Sequence, residues 1–223
     1  MKKTGFTLAE VLITLVIIGV IGALTVPALI QNTQKQEYVT ALKKAYSTLS
    51  QVTQQIIMEE GSPKADDGGW AADYDKIYDL YSRHLNLAKK CNSPVDCNFP
   101  QCISYLKSSA NGRMPGHCLG GSSSSDYKPL ALADGSVITF DSIWRAVSAD
   151  CSKNFNGTNF GCASMFIDVN GMKKPNEFGR DVHEFVITEK GLIPAGCDVE
   201  QCAGSSFGAG CTCKVLREGA MNY

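Results

Sequence analysis

An α+β fold follows from three features of this 223-residue chain. Its apolar residues concentrate at the start, its cysteines are confined to the C-terminal three-fifths, and strand-like runs begin only after Pro129. Together they predict a long N-terminal transmembrane and amphipathic helix packed on a small antiparallel sheet, with disulfide-rich loops. The chain is long enough for one sizeable head plus an extended element. Its formal net charge of −1 lacks the basic surplus that draws proteins to nucleic acid, so no nucleic-acid partner is expected.

Phe6 to Ile30 is a run of 25 residues with a single ionisable side chain, Glu10, and as a helix it spans a bilayer core of about 30 Å. A secretory signal peptide has a shorter apolar region, about 7–15 residues, ending at a small-residue cleavage site. No Ala-x-Ala closes this run, and the polar sequence that follows continues in helical register. Tyr38, Leu42, Ala45, Leu49, Val52 and Ile56 make an apolar stripe along one face, until Gly61 and Pro63 end the helix. From about Thr7 to Glu60 that helix would be roughly 80 Å long. Pro27 removes one backbone donor, which predicts a kink or an unwound stretch around Gly22 to Pro27.

A carboxylate within a bilayer costs about 2.5–3.5 kcal/mol on insertion scales, so Glu10 asks for a cationic partner. Lys2-Lys3-Thr4-Gly5-Phe6-Thr7-Leu8-Ala9-Glu10 resembles the cleavage and methylation signature of type IV pilins and type II secretion pseudopilins. The specific motif covers about thirty residues, and the amphipathic helix carries the resemblance to about residue 60. It implies a pilin-like fold, a prepilin peptidase that cuts after Gly5, and methylation of the new amine on Phe6. It further implies that Glu10 pairs with the terminal amine of a neighbouring subunit, and that Pro27 is the family's helix-breaking proline. The division it suggests is a leader over 1–5, a transmembrane and filament-core helix over 6–30, its amphipathic continuation over 31–61 and an extracytoplasmic head over 62–223.

The ten cysteines are Cys91, Cys97, Cys102, Cys118, Cys151, Cys162, Cys197, Cys202, Cys211 and Cys213. An even number confined to one region predicts disulfides made in an oxidising compartment, with the pairing open. Lysines flank both ends of the apolar run, so loop charge orients it weakly. The cysteines place the head outside and the leader in the cytoplasm.

Within the head, Tyr74, Ile77, Tyr78, Tyr81 and Leu85 predict a helix near 71–89. Cys91 to Ser125 has the composition of a bridged surface loop. Leu130 to Ala133 and Val137 to Phe140, joined by Asp134-Gly135, predict a hairpin. Ser164 to Val169, Glu184 to Thr188 and Leu192 to Pro194 complete three or four antiparallel strands laid on the long helix.

Asp168, Asn170, Asn176 and Asp181 group oxygen donors in one turn and are candidate calcium ligands, against the plainer reading of an Asn/Gly/Pro turn. The pattern is similar to a loop of some pseudopilin-like proteins that bind calcium, although the bidentate glutamate of a calcium loop is missing. Zinc on Cys91, Cys97, Cys102, His117 and Cys118, or on Cys211 and Cys213, lacks a C-x2-C pair. His183-Glu184 lacks the second histidine of a zincin, since Ile187 stands there. The Gly120 to Ser125 run has no G-x-S-x-G, so no catalytic residue is assigned and the chain is not read as an enzyme.

The function expected is that of a structural subunit in a type IV pilus-like or type II secretion filament, anchored in the bacterial inner membrane. Its head would stand in the periplasm or at the cell surface, and head size with many cysteines leans toward a minor subunit. Its partners would be other pilin-like subunits, the prepilin peptidase, inner-membrane lipid and a filament assembly platform. The alternative is a membrane-anchored binding module or adhesin that uses a pilin-type export signal.

Overall fold

The computed structural model describes residues 5, 7–64, 69–92, 96, 102–105, 117–118, 128–140, 151–152, 154, 158, 160–171, 173–197 and 211–221. The chain divides into two compact units, Met1–Glu37 and Tyr38–Tyr223.

The first unit holds the start of helix α1, Leu8–Glu60. Every described large apolar side chain from Leu8 to Ile30 that lines this stretch is exposed, from Val11 at 44% to Leu8 at 79%. Pro27 lies inside the helix, and helical structure continues through residues 22–27 without the unwound stretch allowed by the sequence. A single proline withdraws only one donor, here the one that would reach the Ala23 carbonyl, and the turns on either side hold. The span's hydroxyls are satisfied locally, with Thr14 Oγ1 donating to Val11 O (2.9 Å) and Thr25 Oγ1 to Ile21 O (2.9 Å).

In the second unit the amphipathic stripe is buried as its spacing requires. Leu42, Leu49 and Ile56 are 0% exposed, and Tyr38 and Ala45 pack partly buried against the same core. Gly61, at φ 84°, takes the left-handed conformation that ends α1. Its carbonyl accepts the Trp70 indole N–H at 3.0 Å from a 3₁₀ turn over Trp70–Ala72.

Helix α2, Tyr74–His84, is capped by Asp73, whose Oδ1 accepts from Asp75 N (2.9 Å) and Lys76 N (3.4 Å). It is shorter than the 71–89 expected. Leu87–Lys90 forms strand β1 instead, because this segment pairs antiparallel with β4, Leu130–Leu132. Tertiary pairing there overrides a helical periodicity that has already ended at Leu85.

Strand β2, Cys102–Tyr105, and β3, His117–Cys118, pair antiparallel within the stretch expected to be loop. β4 and β5, Val137–Phe140, form the expected hairpin. β6, Gly161–Asp168, and β8, Val182–Thr188, are longer than their apolar runs suggested and make the central antiparallel ladder. β9, Gly191–Pro194, turns back on β8, while β7, Glu177–Phe178, makes short parallel contacts with β2 and β8. Nine strands therefore lie in the sheet among the described residues, where three or four were expected, in the order β1-β4-β5-β6-β8-β7-β2-β3 with β9 on β8. β3 and β7, at two residues each, are too short to show an alternating pattern.

One sheet face presents Ile138, Phe140, Met165, Ile167, Phe185 and Ile187 to the core that includes Leu42, Leu49 and Ile56 of α1. Tyr46 stacks on Phe185 with ring centroids 5.5 Å apart. On β8 the alternate residue Val186 packs with Ala195 and Ile193. Helix α3, Thr212–Glu218, was not foreseen; its Thr212 Oγ1 accepts from Glu184 N at 3.1 Å.

Cys151 pairs with Cys162, the second residue of β6, and Cys197 pairs with Cys213, tying α3 to the segment after β9. Cys91 and Cys211 are disulfide-bonded as well, which removes them and Cys213 as zinc ligands. Cys97 and Cys202 lie outside the described residues, as does the Gly120 to Ser125 run.

Candidate functional site

Two places carry the residues singled out by sequence. The first is the start of α1. Gly5 is exposed, and nothing lies within 4 Å of where its Cβ would stand. Phe6 lies outside the described residues. Glu10 reaches back one turn: its Oε2 accepts from Thr7 N (2.7 Å) and Thr7 Oγ1 (2.9 Å), while Glu10 N donates to Thr7 Oγ1 at 3.3 Å.

This is a capping box, in which threonine and the glutamate three residues on satisfy each other's orphan groups at a helix start. The sequence reading asked only for a cation and missed this partner, although the T-x-x-E pattern was there to find. Glu10 Oε1 carries no hydrogen bond among the described residues, so the carboxylate can hold its cap and still accept from a second group.

Residues 1–26 match the family model for the prokaryotic N-terminal methylation motif. This is the type IV pilin and pseudopilin signature. Such a motif implies processing by a prepilin peptidase and assembly with other pilin subunits, and it points to a structural subunit. No curated protein matches the chain. No solved structure matches it either. The motif and the fold agree: a long apolar helix long enough to cross a membrane, none of whose most apolar window is buried, fits a single-pass anchored protein.

The second place is the turn between β6 and β8, where Asp168, Asn170, Asn176 and Asp181 come together. Asp181 Oδ2 accepts from Asn176 N (2.8 Å) and Asn170 Nδ2 (3.1 Å), and its Oδ1 accepts from Glu177 N at 2.6 Å. Asp168 Oδ1 accepts from Asn170 N at 3.1 Å. With its amide nitrogen turned toward them, Asn176 donates to Asp168 Oδ2 (3.0 Å) and Lys173 O (3.2 Å). Asn170 Nδ2 also reaches Tyr38 Oη of α1 at 3.3 Å.

Asp168 and Asp181 are both 0% exposed. Burial, reinforced by the neighbouring Asp181 charge, pushes the Asp168 carboxyl up to about 9, and burial also raises Asp181. Among the described residues no basic side chain forms an ion pair with either. The Asn170 Oδ1 is buried and has no hydrogen-bond partner. Five backbone and side-chain N–H donors thus hold the two carboxylates in a small polar core, beside one orphaned carbonyl oxygen.

His183 is fully buried on β8, with Nε2 against Arg180 O (3.2 Å) and Nδ1 without a partner. Burial drives its imidazole down to about 4, so it is neutral at physiological pH. Among the described residues no group of three or more His, Cys, Asp or Glu side chains could hold a metal ion.

Proposed function

We propose that this protein is a structural subunit of a type IV pilus-like or type II secretion filament, cut after Gly5 and N-methylated on Phe6. The observation that carries the reading is a 23-residue stretch, Leu8 to Ile30, that buries none of its large apolar side chains and holds one carboxylate beside a methylation motif. Such a surface is stable first in lipid and then against copies of itself. In this reading residues 6–30 form the membrane anchor and later the filament core, 31–61 continue the helix, and 62–223 form a head in the periplasm or at the cell surface. The second oxygen of Glu10 accepts from the terminal amine of a neighbour during assembly.

Replacing Glu10 with Ala tests this. The chain should still enter the membrane with its head folded, while its share in sheared filaments falls at least ten-fold. Normal incorporation would remove the assembly role from Glu10 and favour the anchored binding module or adhesin.

Calcium is a second element of the reading, supported by the orphaned Asn170 Oδ1 beside two buried carboxylates. Asp168, Asp181 and Asn170 would hold the ion through oxygen, with Asn176 ordering the turn. Bound calcium would displace the proton that burial keeps on Asp168, pair with both carboxylates and fix the turn that hydrogen-bonds Tyr38. Calorimetric titration should show one calcium per chain at up to millimolar concentration, lost in Asp181→Asn; no heat at that concentration excludes the site.

A further inference from the structure

Helix α1 ends on two acids, Glu59 and Glu60, with no basic residue in its last turn. The carbonyl end of a helix carries partial negative charge, so both carboxylates stand where a cation is favoured. α2 turns a lysine and a histidine toward them. Lys76 Nζ lies 3.8 Å from Glu60 Oε2, and His84 Nε2 lies 2.8 Å from Glu59 Oε2. The other oxygen of Glu59, Oε1, accepts from Gln55 Nε2 at 2.9 Å, so this carboxylate is held at both oxygens.

Lysine keeps its charge at physiological pH, whereas histidine titrates there. His84 sits in the last turn of α2, and its Nδ1 lies 2.8 Å from the Leu80 carbonyl oxygen. Gln55 and His84 hold Glu59 below its ordinary value, so it is ionised. Both ring nitrogens therefore face oxygens that only accept. A neutral imidazole has a single N–H and would leave one of these oxygens against a lone pair, whereas the imidazolium donates to both. The remaining charges on these turns are already matched, Glu60 by Lys76 and Arg83 by Asp79. The Leu80 carbonyl first, and Glu59 after it, raise the imidazole above its ordinary 6.5, against partial burial and the Arg83 charge.

We propose that His84 is a pH-operated clasp between the last turns of α1 and α2, closed by the imidazolium and opened when the ring loses its proton. A histidine that holds its proton more tightly in the folded chain adds stability that is fully present below pH 6.5 and fades as pH rises through the raised value. Opening leaves Glu59 without a cation at the negative end of α1 and loosens that turn. The clasp responds to alkaline pH, opposite in sense to the buried His183.

The full chain in detergent micelles is followed by mass spectrometry of imidazole C2 hydrogen exchange, histidine by histidine, from about pH 5 to about pH 9. His84 should titrate above 6.5, and Glu59→Gln, at an exposed carboxylate, should lower its midpoint by at least about half a pH unit and leave that of His183 unchanged. Amide hydrogen exchange over 57–61, divided by the intrinsic rate at each pH, should quicken about three-fold between about pH 6 and pH 9 and be flat in His84→Gln. A His84 midpoint at or below 6.5, or one that Glu59→Gln leaves in place, overturns the proposal. So does exchange over 57–61 that depends on pH equally in the parent and in His84→Gln, which would place the sensitivity in another group.

Discussion

The two halves of α1 both carry apolar side chains, and those side chains meet opposite fates. From Tyr38 to Glu60 the apolar residues recur at spacings of three and four, and Leu42, Leu49 and Ile56 disappear completely beneath the sheet. From Leu8 to Ile30 they cover the whole circumference, and the side chains stay exposed. A stripe can be buried by one partner on one side, whereas an all-round apolar surface needs a surrounding medium. The head supplies its own partner. The N-terminal half needs lipid or many neighbours.

The contrast is sharpest in matched truncations. Leu49→Ala should destabilise the head by about 4 kcal/mol, since a fully buried leucine leaves a cavity that a packed core closes only in part. Leu24→Ala should change the head's unfolding free energy by less than about 0.5 kcal/mol, because no described packing is lost. Equal effects would erase the distinction between the halves.

Gly171→Ala should weaken the head by roughly 3 kcal/mol, because φ is +68° there and an added Cβ would stand 2.2 Å from Gly135 O. Gly22→Ala, in the other half, has open space around it and should leave head stability unchanged. Both comparisons are read from urea unfolding of the purified chain.

A smaller effect comes from His183. Its pKa of about 4 lies below the ordinary 6.5, so the unfolded chain binds the proton more readily. Stability from this group is present above pH 6.5 and is lost as pH falls toward 4, by about 2 kcal/mol between pH 7 and pH 5. Asp168 acts in the opposite sense, since its raised pKa favours the folded state as pH falls. The test is therefore the difference between the parent and His183→Leu, which should narrow or reverse toward acid pH. A difference that stays constant with pH would mean His183 is not buried neutral.

Legibility in the sequence followed the length of each pattern. The long helix, its stripe and the hairpin around Asp134-Gly135 were readable because each repeats over several residues or carries a specific turn pair. β2, β3 and β7 were not, because strands of two to four residues are defined by their partners and not by their own alternation. β1 was mistaken for the end of α2 because its partner, β4, lies forty residues away in sequence. At the site, spacing singled out Gly5 and Glu10, and Asp168, Asn170, Asn176 and Asp181, singled out by type, share the hydrogen bonds of the β6–β8 turn. The burial of Asp168 and Asp181 was not visible, since it depends on the hydrogen bond to Tyr38 and on the close approach of Gly135, contacts that no local window contains.

The central claim is that the N-terminal half is a processed assembly element attached to an oxidised head. Intact mass with N-terminal fragmentation, on unreduced protein from membrane and sheared-filament fractions, tests it most directly. The account predicts a chain beginning at N-methyl-Phe6, lighter by two hydrogens for each disulfide, including Cys151–Cys162 and Cys197–Cys213. A filament-associated or membrane chain that still begins at Met1, or one cut near residue 30, would contradict it.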